Sequence, residues 1–208
     1  MLNLSGKFIS FEGIDGCGKS TQARILSEEL ISCGHKILLT REPGGSNGAE
    51  EIRKLLLTGN TDRWSAETEI LLFTAARRDH LERTILPALE NGLAVICDRF
   101  SDSTRVYQGF TRGNLRDLVD QLDSMIIPRQ PDITVLIDLD PTISLARAIE
   151  RSNNEARFED FGVGMQIKMR KGFLTLAHEF PNRFMVIDGN RTVAEVAANI
   201  SKRLHEIG

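Results

Sequence analysis

The stretch Phe8-Ile-Ser-Phe-Glu-Gly13-Ile-Asp-Gly-Cys-Gly18-Lys19-Ser20-Thr21-Gln22 decides the fold. An apolar run leads into G-x-x-x-x-G-K-S, and a helix-like segment follows, the context in which this pattern becomes a phosphate-binding loop. Its glycines let the backbone curl so that N–H groups point inward at phosphate oxygens. A helix starting near Lys19 adds its positive N-terminal end. Lys19 has the reach to bridge β- and γ-phosphates, and the Ser20 hydroxyl is a Mg²⁺ ligand type. The whole loop, Gly13, Ile14, Asp15, Gly16, Cys17, Gly18, Lys19, Ser20 and Thr21, is therefore the expected phosphate site for a nucleoside triphosphate.

Outward from this loop, short β-rich runs alternate with longer helical patterns. Strands are expected at 7–12, 37–40, 93–98, 133–138 and 184–187, with few internal charges, as suits parallel strands buried on both faces. Helices are expected at 20–33, 49–57, 66–91, 114–126, 141–151, 161–180 and 192–207. Gly34 and Gly92 stand where helices end, and Pro141 suits a first helical turn. The alternation predicts an α/β fold with one five-stranded parallel sheet flanked by helices on both faces. Ligands of such folds gather at the carboxyl ends of the strands. Asp15-Gly16, Arg41-Glu42-Pro43-Gly44-Gly45 and Asp98-Arg99 fall there. Residues 1–208 read as a single domain, and the polar segment 152–164 reads as a mobile lid between two helices.

The 208 residues carry a net charge of −3, so no global field draws nucleic acid and polyanions must be met by local arginines. Cys17, Cys33 and Cys97 form no CxxC pair, which argues against zinc and disulfides and for reduced thiols in the cytoplasm. The N-terminal Met1-Leu-Asn-Leu-Ser-Gly-Lys has no long apolar run, and no stretch approaches the roughly 18 apolar residues of a membrane span.

Four further clusters carry chemistry. Asp98 ends an apolar run, where a second carboxylate near Mg²⁺ sits in loop-type NTPases, and Arg99 adjoins it; side by side they also suit a structural ion pair. Thr40–Gly45 reads as a rigid turn. Phe73 and Arg77 are four apart on one helical face, an aromatic ring and a guanidinium able to hold a nucleobase, while His80 reads as a surface or packing residue. Arg147, Arg151 and Arg157 surround the lid segment.

Taken in order, Phe11–Gln22, Thr40–Gly45, Leu-Leu-Phe-Thr-Ala-Ala-Arg (71–77), Asp-Arg-Phe-Ser-Asp-Ser-Thr-Arg-Val-Tyr-Gln-Gly (98–109) and Pro-Asp-Ile-Thr (131–134) resemble thymidylate kinases of the bacterial type, over nearly the whole chain. The resemblance implies transfer of the ATP γ-phosphoryl group to dTMP, with Mg²⁺ as cofactor and a homodimer formed through a helical face. It implies that Asp15 contacts the acceptor's sugar near the metal. Lys19, Ser20 and Thr21 would hold ATP phosphates, with Ser20 and Asp98 as metal residues. Arg99 would grip the dTMP phosphate with Arg41 and Pro43 nearby, Phe73 would stack on thymine, and Arg77 would donate to a thymine carbonyl. Ser103, Thr104, Tyr107 and Gln108 would line base and deoxyribose. Arg147 would pack on adenine, and Arg151 and Arg157 would be lid arginines, supplying charge that other members place in the phosphate loop, where Gly16 stands here. The chain departs from the family pattern at Phe100 (usually Tyr), at Ala156 (usually Asp) and in the added charges Asp102 and Arg105. Alternatives are another nucleotide or deoxynucleoside kinase, or a nucleotide switch protein, against which the missing Asn-Lys-x-Asp guanine motif weighs.

Overall fold

The computed structural model describes residues 3–60, 63–150 and 162–207. Strand β1 (Phe8–Glu12) leads to helix α1 (Lys19–Ser32), followed by β2 (Ile37–Arg41), α2 (Asn47–Leu57) and α3 (Ala66–His80). After α3 the chain makes a π-helical turn (Leu81–Ile85) and continues as α4 (Leu86–Glu90), then β3 (Ala94–Asp98). Helix α5 (Ser101–Thr104) runs on into a second π-helical segment (Arg105–Phe110). Then come α6 (Arg116–Ile126), β4 (Ile133–Asp138), α7 (Pro141–Glu150), α8 (Val163–Glu179), β5 (Phe184–Asp188) and α9 (Val193–Ile207).

The five strands pair in parallel in the order β2-β3-β1-β4-β5. Chain connections leave β1 toward β2 on one side and reach β4 on the other, so the carboxyl end of β1 lies at the topological switch point. The pleat sorts the residues. Phe8, Val95 and Cys97 pack with Leu81, Ile85, Phe100 and Ile127. Ile9, Phe11 and Ile96 join a second cluster with Leu26 and Leu30 of α1 and Val196, Ile200 and Leu204 of α9. Ser10 and Glu12 alternate with these apolar residues and are fully buried. Ser10 meets this requirement by bonding Thr134 across the sheet, Oγ to Oγ1, at 3.0 Å.

Three expectations need correction. The 37–40 run is an edge strand with half-exposed residues rather than one buried on both faces, because β3 flanks it on one side only. The 66–91 helix is not uniform. Its π-helical turn directly precedes Pro87, which has no N–H and whose ring crowds the carbonyl four residues back. The 98–109 motif read as a site without an element, yet Ser101–Phe110 is helical. Ser, Asp, Thr and Gly109 have poor helix propensity, so tertiary contacts hold this helix. Asp102 and Arg105, unexplained from sequence, are among them. Buried Asp102 receives Arg105 Nη1 at 3.0 Å and Arg183 Nη1 at 2.5 Å, and Arg105 also reaches Asp120 and Asp123.

Candidate active site

The phosphate loop follows β1. Gly13 has φ 139°, and a Cβ there would stand 2.7 Å from the Ile137 carbonyl oxygen, so only glycine fits. The loop closes at Gly18 (φ 102°), and α1 starts at Lys19 with no side-chain cap, leaving its first N–H groups for an anion. Lys19 Nζ donates to the Ile14 carbonyl at 2.9 Å, curling over the loop. The Ser20 hydroxyl donates to Asp98 Oδ2, and Asp98 Oδ1 is buried without a hydrogen-bond partner. Asp98 and Arg99 do not pair with each other. Arg99 turns away in the left-handed region (φ 73°), the one non-glycine residue with positive φ among the described residues.

Arg99 ties this end to the next. Its Nη2 pairs with Asp15 and donates to the Tyr107 hydroxyl at 3.1 Å, and its Nη1 donates to Ser103 Oγ at 2.8 Å. The Tyr107 hydroxyl donates to Asp15 Oδ2 at 2.6 Å, closing the ring of contacts. Burial alone would raise Asp15, but Arg99, then Lys19 and the Tyr107 hydrogen bond, hold it below the usual carboxylate value. Burial pushes the Tyr107 phenol well up, so it stays a donor at neutral pH. Beneath this ring lies Glu12. Burial first, and the Asp102 carboxylate second, push its carboxyl from 4.5 up to about 7.

The far end is built on α3. Arg77, 1% exposed, donates from Nε to Glu42 Oε2 at 2.8 Å and from Nη2 to Thr104 Oγ1 at 3.1 Å. Its guanidinium lies 5.1 Å from the Phe100 ring centroid, and its Nη1 is buried with no partner. Glu42 is held in turn by His80 Nδ1 at 3.2 Å, and His80 Nε2 lies 2.8 Å from Thr40 Oγ1. His80 is therefore an interior hydrogen-bonding residue and not a surface one. A Cβ on Gly45 would meet its Nε2 at 2.2 Å, which accounts for one glycine of the turn. Gln108 is anchored to Glu69 Oε2 through its amide Nε2 at 3.1 Å. Arg41 stays half-exposed, with Nη1 donating to the Pro43 carbonyl at 2.9 Å and Nη2 pairing with Glu50.

One cavity of about 430 Å³ joins both ends. Asp15, Gly16, Gly18, Lys19, Ser20 and Asp98 line its phosphate end. Arg41, Pro43, Phe73, Arg77, Arg99, Ser103, Thr104, Tyr107 and Gln108 line the remainder. Gly13, Ile14, Cys17 and Thr21 belong to the loop but do not face this cavity. Arg147 is exposed on α7 and is not among the residues lining this cavity. Arg151 and Arg157, with most of the 152–164 segment, lie outside the described residues.

A family model for thymidylate kinase matches residues 11–200. The chain belongs to the thymidylate kinase family. It is 64% identical over 198 residues to the thymidylate kinase of Ruegeria pomeroyi, covering 95% of this chain and 94% of that one. It is 62% identical to that of Dinoroseobacter shibae, covering 96% of each. The solved thymidylate kinase of Ehrlichia chaffeensis superposes with a TM-score of 0.78 at 36% identity, over 96% of this chain and 98% of that one. The enzyme is thus a phosphotransferase of the phosphate-loop kinase fold.

Sequence reasoning passed over four cavity-lining residues in this family member: Glu42, Arg53, Leu57 and Phe100. Glu42 lies inside Arg-Glu-Pro-Gly-Gly, which was placed at a ligand-gathering strand end, but Glu42 itself was given no role there. Arg53 and Leu57 are an i, i+4 pair on α2 whose spacing looks like any helix face. Phe100 read as a tyrosine replacement, although its ring is fully buried against Arg77 and Phe8.

Proposed function

We propose that the enzyme binds ATP over the loop Gly13–Thr21 and dTMP in the rest of the cavity, and transfers the γ-phosphoryl group in line to a dTMP phosphate oxygen. One observation carries this reading. The buried Nη1 of Arg77, a residue lining the same cavity as Lys19 and Ser20, is a donor without a partner. A buried guanidinium N–H in that state calls for an acceptor such as a pyrimidine carbonyl. Phe73, one helical turn earlier on the same face, offers a stacking surface. Arg41, Pro43, Thr104 and Gln108 complete the acceptor pocket in this reading.

Asp15 and Arg99 form the seam between the two nucleotides. Arg99 offers its guanidinium to the acceptor phosphate, while Asp15 and Tyr107 hold it and face the sugar. A ribose 2′-hydroxyl would crowd Tyr107. Ser20 and Asp98 fit a Mg²⁺ ion, a hard cation that prefers oxygen ligands, because Asp98 keeps one buried oxygen without a protein partner. Mg²⁺ bound there would neutralise charge on the triphosphate oxygens. No protein nucleophile is required; positioning and charge neutralisation supply the acceleration. Arg151 and Arg157 are assigned the remaining positive charge, on a lid at 152–164, and Arg147 the adenine contact.

A coupled ADP-release assay with dTMP, dUMP, CMP and AMP tests the proposal. dTMP is expected to turn over best. dUMP should be slower by roughly 10- to 200-fold, the discrimination available from one methyl group. Equal rates for dTMP, CMP and AMP would overturn it. Within the same proposal, residues 1–208 form one kinase domain in the cytoplasm, in line with the free Cys17, Cys33 and Cys97, and two copies pair through a helical face. The described helices include none long and apolar enough to cross a membrane. Exposed Leu71 on α3 and Met125 on α6 support the pairing, which sedimentation of the purified enzyme would measure.

A further inference from the structure

Glu12 is a fully buried carboxylate at the end of β1 that does not line the cavity. Its Oε1 accepts from the backbone N–H of Phe100 at 2.8 Å and of Ser103 at 3.3 Å. Its Oε2 accepts from the Ser103 hydroxyl at 2.6 Å. The same hydroxyl oxygen accepts from Arg99 Nη1 at 2.8 Å. Arg99 in turn occupies left-handed backbone, which a long side chain adopts only where surrounding contacts over-determine it. The two N–H groups that Glu12 captures lie immediately after that residue and at the start of α5. The next residue after Glu12 is Gly13, whose carbonyl is 3.4 Å from Arg99 Nη1.

We propose that Glu12 is a positioning residue for the acceptor half of the reaction: it anchors the left-handed Arg99 turn and, through the Ser103 hydroxyl, aims the Arg99 guanidinium at the acceptor phosphate. A serine hydroxyl has one proton to give and two lone pairs to receive. Because Glu12 Oε2 takes the proton, a lone pair stays directed at Arg99. The anchor sits on the strand that carries the phosphate loop, so the acceptor-gripping arginine is registered against the donor site by one short strand end. Glu12 touches neither nucleotide in this arrangement and acts only through Ser103, Phe100 and Arg99. The inference rests on the reading of Arg99 as the acceptor-phosphate residue.

Glu12→Gln tests it. The glutamine keeps one oxygen for the Phe100 and Ser103 N–H groups, but its amide donates to Ser103 Oγ and competes with Arg99 there. The expected result is a fall in kcat/KM for dTMP of roughly 10- to 100-fold, the worth of a hydrogen bond to a charged group, with ATP KM within about twofold of wild type. Adding Glu12→Gln to Arg99→Ala should cost no more than about threefold beyond Arg99→Ala alone, since the two act on one contact. Wild-type dTMP kinetics in Glu12→Gln, equal losses toward ATP and dTMP, or full additivity with Arg99→Ala would each overturn the positioning role. Arg99→Ala by itself reports on the underlying reading: unchanged dTMP kinetics there would remove Arg99 from the acceptor site whatever Glu12 does. Glu12→Asp, which keeps the charge but is one methylene too short, is read by the same criteria should the glutamine variant not fold.

Discussion

Glu42→Ala isolates the support of Arg77, the proposed base-reading residue, from the rest of the site. Arg77 and Glu42 form a pair at 2.8 Å whose side chains are 1% and 4% exposed. Removing Glu42 leaves Arg77 with only Thr104 Oγ1 and the Phe100 face, and leaves His80 Nδ1 without its carboxylate. Breaking one partner of a buried pair costs about 3–5 kcal/mol, since the surviving charge keeps its desolvation penalty. For a chain of 208 residues, 1 kcal/mol moves the melting temperature by roughly 2–4 °C, so a fall of about 6–20 °C is expected. Urea denaturation of the ligand-free enzyme measures the free energy directly. The double replacement Glu42→Leu with Arg77→Met removes both charges and should recover most of that loss. It should fall short by about 1 kcal/mol, the worth of the orphaned His80 hydrogen bond, while leaving dTMP turnover abolished. A Glu42→Ala enzyme within about 1 kcal/mol of wild type would refute the reasoning, as would a double variant no more stable than the single.

Glu12 makes stability depend on pH. Its folded carboxyl is raised to about 7 from 4.5, so the folded state binds the extra proton. The associated stability is full below about pH 4.5 and lost as pH rises through 7, about 3 kcal/mol at about 1.4 kcal/mol per pH unit. Glu12→Gln should therefore gain stability relative to wild type between pH 5 and pH 8, and parallel pH curves would count against the assignment. Tyr107→Phe removes the hydroxyl shared by Asp15 and Arg99, and should lower kcat/KM for dTMP by roughly 10-fold with ATP KM unchanged, as steady-state kinetics would show. Chelation of divalent ions should stop turnover. Asp98→Asn should raise the Mg²⁺ concentration at half-maximal rate by roughly 10- to 100-fold, and an unaltered Mg²⁺ titration would place the metal elsewhere.

The fold was legible because its determinants are local. Each strand is a short apolar run, Gly34 (φ 88°) and Gly92 (φ 76°) mark helix ends, and α7 starts at Pro141. What escaped were features set by distant residues. Ser101–Phe110 is helical because Glu12, 88 positions from Phe100, satisfies its first N–H groups, and because Arg105 and Asp102 find partners on α6 and at Arg183. No window of local sequence contains those partners.

The candidate site divides along the same line. Most residues facing the cavity were readable, since function demands recognisable types at fixed spacing: glycines and Lys19 at the loop, Phe73 and Arg77 on one face. The buried acids and the histidine that support them were not. Glu12, Glu42, Glu69 and His80 are all buried and all bond to a cavity-facing group or its backbone. A carboxylate in such a place resembles any surface acid in sequence, because nothing local distinguishes a buried partner from a solvated one. Yet it decides which way an arginine points, and a guanidinium misdirected by 1 Å forfeits much of its effect on a transferring phosphoryl group. The chemistry of this enzyme is thus written twice. One copy is in the motifs that line the cavity. The other is in four buried groups that hold Arg99, Arg77 and Gln108 in the orientations those motifs need.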